Sequence, residues 1–117
     1  MRNVRSLEPF WWFLFAGGGT VAALLVTVHI SVNLLVGVGL LGTDTLSYGR
    51  LSGLVANPIV KLYLLALFAL PFFHAAHRLR GTIRDLGLHA DRVVGFLCYS
   101  TAIVGSVWAL AVLLGVP

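Results

Sequence analysis

The residues with chemical potential stand where an apolar run ends, in Leu70-Pro71-Phe72-Phe73-His74-Ala75-Ala76-His77-Arg78-Leu79-Arg80-Gly81-Thr82-Ile83-Arg84-Asp85. His74, His77 and Arg78 fall at the end of what must be a buried helix, the depth at which polar groups meet both membrane and water. An imidazole, with an unperturbed pKa near ~6.5, passes protons at neutral pH. A guanidinium and the indole N–H groups of Trp11 and Trp12 donate hydrogen bonds. A planar carbonyl compound with an apolar tail suits such a set, because its oxygens accept from these donors while its tail stays in lipid. A quinone is the obvious candidate. The plain alternative is that the tryptophans are interface anchors and the arginines are charges snorkelling to the headgroups.

Heme is the competing use of membrane histidines and needs two axial ligands at one depth. Counting along the helix from Trp12 at 1.5 Å per residue puts His29 roughly 25 Å down the first span, whereas His74 and His77 lie at the opposite end. A bis-histidine heme on His29 or His74 therefore needs its second ligand from another chain.

The elements that position these residues follow from composition. Of 117 residues 59% are hydrophobic and 10% are charged, with a mean hydropathy of +0.98. Soluble domains carry about a quarter charged residues, so this is a membrane protein. The net charge of +4 is clustered, and in a bilayer protein such clusters report orientation and lipid or partner contact; nucleic acid is not an expected partner. Cys98 stands alone inside an apolar segment, without a disulfide or CxxC partner, and reads as a buried, inert thiol.

Three helices are expected, over about 10–38, 58–78 and 93–116, forming one membrane domain over 1–117. No charge falls between Glu8 and Asp44, which is long enough for a retained span rather than a cleaved leader. Pro9 suits the first helical turn and Glu8 the positive end of the helix dipole. Ala16, Gly19 and Ala23 offer a small-residue face, as do Gly105 and Ala109 on the third span. His29 and Asn33, four apart, are expected to hydrogen-bond each other or a neighbouring helix. Residues 42–50 read as a polar loop and Leu51 to Ala56 as a short interfacial helix.

Pro58 opens the second span, Lys61 is expected to snorkel, and Pro71 removes one internal hydrogen bond and should kink the helix. Arg78, Arg80 and Arg84 carry it into water, and Gly87 stops it. Arg80 and Arg84 are four apart and repel unless an anion lies between them, a role that lipid phosphate or an acidic docking surface would fill. Trp108 reads as packing. Arg2, Arg5, Arg78, Arg80, Arg84 and Arg92 lie on one side, against Arg50 and Lys61 on the other. By the positive-inside rule the N-terminus is cytoplasmic and the C-terminus outside, so Trp11 and Trp12 converge with His77 and Arg78 at the cytoplasmic interface.

Three blocks of sequence extend this reading. Glu8-Pro9-Phe10-Trp11-Trp12 followed by Gly17-Gly18-Gly19, then Asp44-Thr45-Leu46-Ser47-Tyr48, then Leu70-Pro71 with His77-Arg78 and Asp85-Leu86, resemble in order and spacing the D-subunit of the quinol:fumarate reductase family, the small hydrophobic anchor. The resemblance implies a four-subunit complex of the bacterial cytoplasmic membrane: a flavoprotein with covalent FAD, an iron–sulfur protein and two membrane anchors, C-type and D-type. The chain then has no turnover alone. Menaquinol binds near the cytoplasmic face in this family, and the anchors typically hold no heme.

By position, Trp12 corresponds to the family's quinone-contacting Trp, Trp11 takes a neighbouring aromatic position, and His77 and Arg78 match its His-Arg pair. Arg80, Arg84 and Arg92 are expected to hold the soluble subunits or lipid headgroups. Family members can carry further histidines after the pair, where this sequence has Leu79, Arg80 and Gly81. His74 and His29 have no counterpart, which keeps open a b-heme anchor of the succinate dehydrogenase type. A purely structural anchor is the other alternative.

Overall fold

The computed structural model describes residues 8–117, with the side chain of Glu8 excepted. Arg2 and Arg5, and the expected role of the Glu8 carboxylate at the helix dipole, lie outside the described residues. No strand is present among those described, and three helices are long and apolar enough to cross a membrane: Pro9–Gly37, Pro58–Asp85 and Asp91–Gly115. The expectation of an all-α, three-span membrane protein is met.

The first span is composite. Helix α1 (Glu8–Thr20) passes into a π-helical stretch, Val21–Val26, and resumes as α2 (Thr27–Gly37). A short 3₁₀ turn, Thr43–Leu46, and helix α3 (Tyr48–Val55) follow, then α4 (Pro58–Asp85) and α5 (Asp91–Gly115). Helix α3 stands where the short helix was expected, begun at Tyr48 rather than Leu51 and ended at Val55.

Local chemistry explains the ends of α4. The Asn57 side chain accepts from the Ile59 N–H at 2.9 Å, with Pro58 in the first turn, where its missing N–H costs nothing. At the other end Gly87 takes φ +90°, a backbone state that other residues rarely adopt. Pro71 lies inside α4 without ending it.

Lys61, expected to snorkel, has a partner within its own chain. Its Nζ donates to the carbonyl of Val116 at 2.6 Å. That carbonyl caps the C-terminal end of α5, where orphan acceptors and the negative end of the dipole both favour a cation.

Helix α4 is the middle element, with α1 and the π-helical stretch packed on one side and α5 on the other. The molecule measures 59 × 31 × 21 Å, and its buried apolar residues reduce to Leu67, Ala76, Ala102 and Leu113. Most large side chains face outward, among them Trp108 at 71% exposure, which is not part of the interior packing of its own chain.

Glycines set the helix contacts. A Cβ on Gly18 would meet the Leu70 carbonyl and, at 2.8 Å, the His74 Cβ; one on Gly19 would meet His74 Cε1 at 2.8 Å. A Cβ on Gly105 would fall 2.9 Å from the Phe72 ring. The small-residue face on the first span is thus Gly18–Gly19, not Ala16–Gly19–Ala23. Ala16 and Ala23 are exposed, and Ala23 lies in the π-helical stretch, whose wider turn breaks the three-and-four spacing on which that face was read.

Candidate functional site

Trp11 and Trp12 arise from the first turns of α1, where Pro9 opens the helix, and His77 lies on α4 at the matching level. The Trp12 and His77 rings meet edge to face at 6.1 Å between centroids. Phe15, one turn deeper, lies 5.8 Å from Trp12 and 4.8 Å from His77. Because α1 and α5 flank α4 from either side, they leave a groove of about 700 Å³ above it, lined by Trp11, Trp12, Leu14, Phe15, Phe73, His77, Tyr99 and Ile103. Its walls are aromatic and aliphatic. Its polar groups are two indole N–H donors, an imidazole and a phenol.

The sequence reading missed Tyr99. Its hydroxyl lies 2.9 Å from His77 Nδ1 and joins α5 to the site. A signal for it existed: His77 precedes the end of α4 by as many residues as Tyr99 follows the start of α5. Two antiparallel helices joined by a short turn bring such positions to one depth.

The expected residues do not all gather here. Trp11, Trp12 and His77 line the groove, whereas Arg78 is exposed and is not among the lining residues. Arg80 is committed within the chain. Its Nε donates to Asp91 Oδ1 at 2.9 Å and its Nη2 to Oδ2, and its guanidinium lies 5.9 Å over the Tyr99 ring. Gly95 makes the room, since a Cβ there would stand 3.1 Å from Arg80 Nε. Arg84 adds its field to the same carboxylate. Asp91 thus supplies Arg80 with an anion from within the chain. Arg84 and Arg92 remain exposed.

His74 and His29 are tied to backbone. His74 stacks on Phe15 at 4.5 Å and its Nδ1 donates to the Phe15 carbonyl at 2.8 Å, so it joins α4 to α1. His29 Nδ1 donates to Leu25 O at 2.7 Å, and Asn33 Nδ2 to His29 O at 2.8 Å. The two side chains thus each bond one turn back along their own helix and not each other. His29 sits beside Tyr63, which is roughly 16 Å along α4 from His74, so the two imidazoles share no depth.

A second groove of about 690 Å³ lies between α4 and α5. Cys98, half-buried rather than fully buried, lines it among apolar neighbours.

Comparison with known proteins places these features in a family. The family model for the fumarate reductase D-subunit matches residues 2–114. The fumarate reductase D-subunit of Photobacterium profundum is 44% identical over 107 residues, 91% of this chain and 89% of that one. That of Mycobacterium bovis (strain BCG / Pasteur 1173P2) is 46% identical over 110 residues, 90% of this chain and 85% of the relative. That of Vibrio vulnificus is 40% identical over 109 residues, covering 92% and 86%. With three membrane-length helices and the aromatic and histidine residues gathered at one end of them, this chain belongs to the fumarate reductase D-subunit family.

Proposed function

We propose that this chain is a hydrophobic anchor subunit of quinol:fumarate reductase in the bacterial cytoplasmic membrane, and that the groove between Trp12, His77 and Tyr99 forms part of the menaquinol oxidation site. The supporting observation is the groove itself. Flat aromatic walls suit a planar head group, and a few N–H and O–H groups suit its two oxygens. The open side of the groove suits an isoprenoid tail that remains in lipid.

Menaquinol, when bound, supplies two electrons and two protons. The residues of this chain bind it and manage the protons. Trp12 donates from its indole nitrogen, and His77 can hold a proton on Nε2, the ring nitrogen that Tyr99 leaves free. Arg78, exposed at the rim, adds a positive field that favours proton loss from the bound molecule. The iron–sulfur subunit and the FAD-bearing flavoprotein carry the electrons to fumarate, and a second, C-type anchor completes the membrane part.

Arg78, Arg80, Arg84 and Arg92 lie at the groove end, and Arg50 and Lys61 at the other, so the positive-inside rule supports a cytoplasmic groove and an external C-terminus. Arg84 and Arg92 are the arginines free to hold soluble subunits or headgroups.

The test uses the whole complex carrying Trp12→Ala or His77→Gln. Quinol-driven fumarate reduction should fall roughly tenfold or more, while fumarate reduction by a soluble dye, which bypasses the anchor, is retained. Quinol oxidation at the parent rate in both assembled variants would leave a purely structural anchor, with the quinone contacts made by its partners.

A further inference from the structure

We infer that Tyr99 is a positioning residue for His77: its hydroxyl engages Nδ1 and reserves Nε2 for the molecule in the groove. The inference rests on the reading of that groove as a quinol site.

His74 and His77, three apart on α4, are held in different ways. His74 Nδ1 faces a backbone carbonyl, which only accepts, so its proton is locked on Nδ1. His77 Nδ1 faces a phenol, which both donates and accepts. When Nε2 carries the proton, Tyr99 donates to Nδ1. When Nε2 offers a lone pair, or the ring is protonated, Nδ1–H donates to Tyr99. His77 can therefore switch tautomer as well as take up a proton without losing its partner, whereas His74 keeps its partner only while Nδ1 holds its proton. Trp12 and Phe15 hold the plane of the His77 ring but, as π faces and edges, do not select between its nitrogens.

The proton balance is simple. The hydroxyl O–H of the quinol breaks, Nε2–H forms, the ring becomes a cation with Nδ1–H donating to Tyr99, and the proton then passes to water at the groove mouth. Tyr99 is itself held. Arg80 lies over its ring, and Asp91 fixes Arg80 with two hydrogen bonds. Arg80, Asp91, Arg78 at the rim and, more distantly, Arg84 are the charged groups around the pair on α4 and α5. Helix α1 presents Trp12 and Phe15 to the ring, and the side chain of Glu8 at its start lies outside the described residues.

The experiment measures pH profiles of quinol-driven fumarate reduction by the complete complex, normalised to dye-driven turnover so that partial assembly does not enter. Tyr99→Phe keeps the ring beneath Arg80 and removes only the hydroxyl. The rate should fall roughly tenfold, and its acid limb should move to lower pH by about half to one unit, because the charged ring has lost its acceptor. Tyr99→Gln, whose amide can meet Nδ1, should recover part of both effects. Tyr99→Phe added to His77→Gln should slow the enzyme no further than His77→Gln alone.

An unshifted limb in Tyr99→Phe, or effects of the two substitutions that multiply, would overturn the inference while the groove stands. A parent rate in His77→Gln would instead remove the quinol reading beneath it, and the inference with it.

Discussion

His74 Nδ1 lies 2.8 Å from the carbonyl oxygen of Phe15, with the two aromatic rings stacked at 4.5 Å, so α4 is bonded to the backbone of α1 one turn below the groove. Gly18 and Gly19 permit that approach. Gly18→Val should therefore destabilise the chain more than Ala16→Val. The added carbon at 18 meets a backbone carbonyl that cannot yield, whereas Ala16 is exposed. An overpacked contact of this kind costs about 1–3 kcal/mol, to be read as a lower melting temperature of the detergent-solubilised complex.

Trp12 touches His77 and Phe15, whereas Trp11 stacks edge-on with Phe10 at 5.5 Å. Both line the groove, but one holds the imidazole. Trp12→Ala should lower quinol-driven turnover roughly tenfold and Trp11→Ala only a few-fold, compared at saturating quinol. Equal losses would mean that the groove works by its apolar volume alone.

Asp91 lies between the Arg80 pair and the field of Arg84. Asp91→Asn should leave two uncompensated cations one helical turn apart and reduce the yield of assembled complex modestly, roughly twofold, since the pair is partly open to solvent. Arg84→Gln in the same chain should restore the yield. Added salt should do the same through screening. A yield insensitive to both would show that the pair contributes nothing to the α4–α5 turn.

At the other end, Lys61→Met should leave the Val116 carbonyl without its donor. The cost of a partly exposed, charge-assisted hydrogen bond is about 1 kcal/mol. Thermal melting of the complex reads it directly, and Lys61→Arg, which can still reach a carbonyl, should retain most of the parent value.

The spans, their order and the end at which Trp12 meets His77 were legible because they depend on apolar length, helix-end residues and charge asymmetry. Gly18–Gly19, Tyr99 and the Lys61 and Arg80 partners were not. Each depends on how one helix is rotated about its axis against another, and within a membrane nearly every face is apolar, so hydropathy carries little rotational information. Arg80 shows the consequence. Its spacing from Arg84 called for an anion, but nothing in local sequence distinguished a lipid phosphate from Asp91 across the turn. His74 and His77 divide in the same way, since the identity of each Nδ1 partner, carbonyl or phenol, was settled only by helix packing.

The six residues Val21–Val26 carry a consequence of their own. A π turn holds an extra residue within one rotation, so it shifts the sequence spacing between the halves of the first span by one residue while their relative bearing is kept. Forcing all six residues into uniform α geometry would swing one half about the common axis by roughly 100° relative to the other and take Trp12 off its bearing on His77, whereas deleting a single residue there would restore a plain α turn and keep that bearing. The aromatic corner is thus aimed from well below, by residues with no polar side chain among them.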